Sequence, residues 1–241
     1  MEVNEKLYSW YSPHIEKEFK MLTFGTSGVP MLLYATSKGS YMQNRDFGLV
    51  EAIGHWIENG MVKVYCPDSF DAESFYNYQI PPKYRLLNYL AYERLILNEL
   101  MPMMWHDTGH DKCITAGCSF GGYHALNTAF KHPDKVQTMI SMGGAFDIKQ
   151  FIFGYFDDNC YFNNPPDYMK NLSDPWYVDH LRKMGIILGT GEKDICQAAN
   201  IEMSEILDSK GIPNWLDNRP GFEHDWPWWK IQFVDYMKAI F

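Results

Sequence analysis

The chain has 241 residues, enough for one domain of the larger kind with a substantial core. Its formal net charge is −9, from 21 basic and 30 acidic residues with no basic block; that disfavours nucleic acid and anionic membrane as partners. Five cysteines, an odd number lying mostly in or beside apolar segments, predict reduced thiols and a cytoplasmic setting, with Cys160 and Cys196 left open as a pair.

Met1 to Lys6 carries no apolar signal region, and no apolar run is long enough to suggest a membrane span. Alternation and aromatics over Lys6–Ser12 and Glu16–Phe24 predict two antiparallel strands. Pro30–Thr36 reads as a buried strand followed by the polar loop Ser37-Lys38-Gly39-Ser40. Asp46–Asn59 reads as one helix, with Phe47, Val50, Ile53, Trp56 and Ile57 at helical spacing and Gly60 as its stop. Met61–Cys66 is the next strand. Pro67–Pro82 is a long aromatic loop holding Phe70, Phe75, Tyr76 and Tyr78, and Lys83 to about Met104 a long helix.

Cys113–Cys118 reads as a strand, Tyr123–His132 as a helix, and Val136–Met142 as a further strand. Asp147–Asp174 is irregular, with Phe151, Phe156, Tyr161 and other aromatics among Asp and Asn; such an insertion predicts a short lid or substrate-binding element. Pro175–Met184 reads as helix, Gly185–Leu188 as strand, Ile195–Ser209 as helix, Ile212–Asp217 as the last strand and Trp226–Ile240 as the last helix. Strands alternating with helices predict a single α/β domain over 1–241 with a mostly parallel sheet covered on both faces. Chemistry in such sheets sits beyond the carboxyl ends of the strands, where the loops after Thr36, Cys66, Cys118, Met142, Leu188 and Asp217 converge.

One of those loops is Gly117-Cys118-Ser119-Phe120-Gly121-Gly122, between a strand and a helix. Glycines on both sides let the chain turn sharply and let helix pack close to strand, which is the setting of a nucleophile elbow. Ser119 would sit at the tip, and the Phe120 N–H at the helix start would face a developing oxyanion. The plainer alternative is a glycine-rich turn without chemistry. A serine hydroxyl needs an oriented base. His224 in Phe-Glu-His-Asp-Trp supplies the base and Asp194 in Gly-Thr-Gly-Glu-Lys-Asp the acid, in the chain order Ser, Asp, His. Asp147 and Glu192 are rivals for the acid. His124, one turn into the elbow helix, reads as packing beneath it, and His132 as a helix cap. His106 and His110 fall at the wrong edge of the sheet and read as a polar loop, so no metal is expected. Cys118 is a lesser candidate nucleophile, facing inward.

These residues resemble the esterase family of α/β-hydrolases that includes esterase-D-like enzymes, feruloyl and acetyl-xylan esterases, siderophore esterases and mycolyltransferases. The resemblance runs from about Pro30 to the C-terminus. It rests on Ala-Gly-Cys-Ser-Phe-Gly-Gly-Tyr at 116–123 with His132-Pro133-Asp134, on Gly-Thr-Gly-Glu-Lys-Asp at 189–194, and on His224-Asp225-Trp226 with Trp229. It implies an eight-stranded α/β-hydrolase sheet and a triad of Ser119, Asp194 and His224. Thr36-Ser37 stands where the family has His-Gly after the third strand, so the second oxyanion donor is expected near Ser37 or Lys38. The expected activity is cleavage of a small-molecule carboxylic ester through an acyl-enzyme, with no cofactor. Phe156, Tyr161 and Trp226 are the expected substrate contacts. An acyltransferase with the same triad, an amide hydrolase and a silent binding scaffold are the rivals, and the aromatic surface segments allow a homodimer.

Overall fold

Strands β1 (Glu5–Ser12) and β2 (Lys17–Phe24) form an antiparallel pair at one edge of a single eight-stranded sheet in the computed structural model, which describes residues 4–241. The others are β3 (Val29–Tyr34), β4 (Val62–Pro67), β5 (Cys113–Cys118), β6 (Val136–Met142), β7 (Gly185–Lys193) and β8 (Trp215–Glu223). Their order is β1-β2-β4-β3-β5-β6-β7-β8. Only the β1–β2 and β2–β4 pairings are antiparallel. This is the α/β-hydrolase fold.

Period-two alternation in the central strands feeds two cores, one on each face of the sheet. In β3, Leu32 and Tyr34 join the first, Met31 and Leu33 the second. The helices follow in chain order. The span 43–58 holds three short ones, α1 (Gln43–Asp46), α2 (Leu49–Ala52) and α3 (Gly54–Glu58), rather than the single helix expected. Gly48, at φ 76°, breaks the run, yet Val50, Ile53, Trp56 and Ile57 still reach the second core. Next come α4 (Pro82–Leu95) and α5 (Met101–Thr108), joined by a π-helical turn at Ile96–Leu100. Pro102 has no N–H to offer Asn98 and its ring crowds that carbonyl, which accounts for the widened turn.

The elbow helix α6 (Phe120–Lys131) starts three residues earlier than expected. The insertion forms three short helices, α7 (Lys149–Ile152), α8 (Asp158–Tyr161) and α9 (Pro165–Asn171). It is pinned from below: Arg85 Nη1 donates to the Phe151 carbonyl at 2.7 Å and Tyr123 Oη to the Asn163 carbonyl at 2.9 Å. Then follow α10 (Pro175–Leu181), α11 (Gln197–Ser209) and α12 (Trp226–Ile240). Helices α4, α5, α6 and α11 cover one face of the sheet; α2, α3 and α12 cover the other. No helix among the described residues is long and apolar enough to cross a membrane. All five cysteines are free thiols, Cys160 and Cys196 included.

The last two strands differ most from expectation. Both β7 and β8 continue past Leu188 and Asp217, through the glycines, and pair as far as Lys193 with Glu223. The next residue on each strand is Asp194 and His224.

Candidate active site

Ser119 follows β5 directly, at φ 55° and ψ −121°, a region costly for a residue with a Cβ. Its backbone is held from several sides. Ser119 N–H donates to the Met142 carbonyl at 2.9 Å, and its carbonyl accepts from the N–H groups of Gly122, Tyr123 and Ala145. The flanking glycines are there for close approach. A Cβ on Gly121 would lie 2.5 Å from the Ala35 carbonyl oxygen and one on Gly122 the same distance from Ser141 Oγ, so α6 sits hard against β3 and β6. Ser119 itself is left half-buried, between fully buried Cys118 and Phe120.

His224 Nε2 lies 2.9 Å from Ser119 Oγ, and His224 Nδ1 lies 2.7 Å from Asp194 Oδ1. The carboxylate accepts from Nδ1–H, which leaves Nε2 as the acceptor for the serine hydroxyl. Asp194 is 6% exposed, and its Oδ1 also accepts the Cys196 N–H at 2.7 Å. Trp229 meets the His224 ring edge-on at 4.9 Å, and Trp226 packs on Trp229. Asp194 is thus the acid paired with His224. Asp147 is exposed and bonds to Lys149, while Glu192 accepts the Gly221 N–H.

Phe120 buries its ring, 1% exposed, against Tyr123 and Phe151, so its contribution to the site is its backbone N–H. Of the two expected second donors, Lys38 is corrected: its N–H is taken by Asp71 Oδ2 at 3.0 Å. Among the described residues the N–H groups of Ser37 and Phe120 donate to no protein acceptor. Ser37 Oγ accepts from Tyr76 Oη at 2.7 Å.

Three expected substrate contacts divide. Trp226 packs on the Trp229 that meets His224, and its ring stacks on Phe47 at 4.6 Å. Tyr161 instead lines a hollow of about 510 Å³ with Phe130, Lys131 and His132, at the far end of α6 from Ser119. Phe156, exposed, borders a smaller hollow with Lys149, Ile152 and Cys160. Neither hollow includes Ser119, Asp194 or His224. The insertion turned its outer aromatics away because Phe151 and Ile152 took the inward positions against Phe75, Phe120 and Tyr123. Tyr76 and Phe151, from the aromatic loop and the insertion that were expected to line the pocket, lie 4.7 Å apart by ring centroid and pack on Phe120 of the elbow at 5.6 and 5.2 Å.

Cys118 is fully buried in the second core, and burial pushes its thiol well above the usual range, which sets it apart from the Ser119 hydroxyl beside it. Cys196 is nearer: with Asp194 and His224 it could offer a metal ligand atom, all within 4.8 Å of one another. Burial, and then the Asp194 charge, push its thiol up to about 12.

The profile of the family described as "Putative esterase" matches residues 45–240. Similar solved structures include a ferulic acid esterase, 16% identical over 99% of this chain and 98% of the other, with a TM-score of 0.79. An S-formylglutathione hydrolase from Agrobacterium tumefaciens is 12% identical over 98% and 93%, with a TM-score of 0.75. MPT51 from Mycobacterium tuberculosis is 14% identical over 97% of each chain, with a TM-score of 0.70. No curated protein matches the chain. The fold comes from these structures and the family from the profile, which spans far more than half of the residues: the chain belongs to the esterase family of α/β-hydrolases.

Proposed function

We propose that the protein is a serine hydrolase that cleaves carboxylic esters through an acyl-enzyme. The observation that carries this is the hydrogen-bonded line from Ser119 Oγ through His224 to Asp194, at 2.9 and 2.7 Å, on a strained elbow. Ser119 Oγ attacks the ester carbonyl carbon while His224 Nε2 takes its proton. Asp194 holds the imidazole in the correct tautomer and stabilises the imidazolium. Negative charge builds on the former carbonyl oxygen, and the N–H groups of Phe120 and Ser37 stabilise it there. The C–O bond to the alcohol breaks, and His224 returns the proton to the leaving oxygen. Water then attacks the acyl-serine, giving up a proton to His224, and collapse frees the acid and restores the Ser119 hydroxyl. These steps use protein groups and water alone.

A small-molecule ester is the substrate class this reading assigns to the half-buried site. Trp226, stacked on Phe47 and packed on the Trp229 that meets His224, and Tyr76, bonded to Ser37, are the aromatics that would offer apolar walls to it. The names of two structural neighbours, for ferulic acid and for S-formylglutathione, agree with an acyl group carried on oxygen or sulfur. The test is hydrolysis of short-chain p-nitrophenyl esters by the wild type and by Ser119→Ala. Steady turnover that falls by roughly 10⁴-fold or more in the variant is expected. Turnover that survives the substitution, or none in the wild type, contradicts the reading.

A further inference from the structure

An oxyanion hole works only if its two donors are held at a fixed separation. The Phe120 N–H is fixed by the first turn of α6. The Ser37 N–H lies in a tight turn closed only by the Gly39 N–H on the Thr36 carbonyl at 2.9 Å, and the family's His-Gly is replaced there by Thr36-Ser37. Something else must hold it. The N–H groups on either side of Ser37 are both tied to side chains. Thr36 N–H donates to Gln43 Oε1 at 2.9 Å, and Lys38 N–H to Asp71 Oδ2 at 3.0 Å. The Thr36–Gly39 turn and the bond to Asp71 together hold Lys38 at φ 53°, a left-handed conformation that no glycine eases. That bend leaves Ser37 N–H as the one donor of the three without a protein acceptor.

Asp71 is itself anchored, and to the elbow helix. Its side chain is 2% exposed, and Oδ1 accepts from His124 Nε2 at 2.9 Å. His124 is 4% exposed and one turn along α6 from Phe120. Its ring is walled by Tyr34, Tyr89, Tyr92, Phe120 and Tyr123, with centroids between 4.9 and 5.9 Å away, so it cannot swing. The Asp71 carbonyl also accepts the N–H of Tyr76, whose hydroxyl reaches Ser37 Oγ. One buried carboxylate thus bridges the helix that carries the first donor and the loop that carries the second.

We propose that Asp71, held by His124, is a positioning residue that sets the Ser37 N–H against the Phe120 N–H to complete the oxyanion hole. It touches no substrate; it acts through the Lys38 peptide. The proposal rests on the ester-hydrolase reading above, and wild-type turnover checks that reading separately.

The test compares Asp71→Ala and Asp71→Asn with the wild type on p-nitrophenyl acetate, each rate divided by the sites titrated with a fluorophosphonate, so that misfolded protein is not counted. Asp71→Ala should lower kcat per titrated site about 10- to 100-fold while KM moves less than about threefold. The affinity for a trifluoromethyl ketone, which forms an oxyanion on Ser119, should weaken in proportion to kcat/KM. Amide exchange at Lys38 should speed up in the same variant. Asp71→Asn keeps an oxygen acceptor for the Lys38 N–H and should restore most of the rate. The proposal is overturned if the per-site kcat of Asp71→Ala equals that of the wild type, if kcat falls while ketone affinity does not, or if Asp71→Asn is as impaired as Asp71→Ala. Absence of ester turnover in the wild type would overturn the functional reading instead.

Discussion

Gly143 shows how little room surrounds the acid and the base. It follows β6 at φ 61°, and a Cβ there would lie 2.6 Å from Asp194 Oδ2 and 2.9 Å from His224 Nδ1. Gly143→Ala should therefore strain the backbone by about 1–2 kcal/mol and push the pair out of line. The expected result is a folded protein by circular dichroism whose kcat/KM falls roughly 100-fold, the scale of a 1 Å misplacement. Activity near that of the wild type would contradict the fit. At this scale the sequence was informative where chemistry demands a residue type. Ser119, Asp194 and His224 were legible because a hydroxyl needs a base and a base needs an acid, in the order an elbow allows. Lys38 was misjudged because a bare sequence does not show which N–H is already spent. Asp71 was missed, since a lone Asp in an aromatic loop looks like any solvated acid, and His124 was read as packing although it is what holds Asp71.

Between elements, α4 and the end of α6 are clamped by Glu93, 14% exposed at its side chain, with Lys131 Nζ 2.6 Å away and His132 Nε2 at 3.6 Å. Burial opposes ionisation of Glu93, but His132 and Lys131 outweigh it and bring its carboxyl below the ordinary 4.5. A carboxyl depressed in the folded state stabilises above its unfolded value, and that contribution is lost as pH falls through the folded one. Glu93→Gln should thus cost about 1–3 kcal/mol at neutral pH, and the gap from the wild type should close as pH drops below about 4.5. Urea unfolding of both proteins at pH 7 and pH 4 checks this; an equal gap at both would contradict it. His132 as a helix cap was half the story, because the partner lies on a helix 39 positions back in the chain and leaves no local pattern. The overlong β7 and β8 were illegible for a related reason. Glycines and charges past Leu188 and Asp217 read as loops, yet pairing between the two strands extends them to Lys193 and Glu223, and that pairing is what delivers Asp194 to His224.

Over the whole molecule, the sheet and its crossing helices were legible because buried parallel strands are short apolar runs between helical periodicities, and β5, β6 and α12 fall where those patterns end. The insertion was not, because its short helices follow tertiary contacts: Asn163 and Asn164 dock onto Tyr123 and the Ile148 N–H, and Phe151 is drawn inward. The result is an insert docked on the body of the domain, and the esterase reading rests on one residue's attack. The most direct measurement is peptide mapping of the protein quenched with acid during turnover of p-nitrophenyl acetate. One acetyl group on the peptide holding Ser119, at the serine itself and absent from Ser119→Ala, is the predicted result. Acetyl on Cys118 or Cys196 in its place, or turnover with no acetyl trapped on Ser119 even when deacylation is slowed, would contradict it.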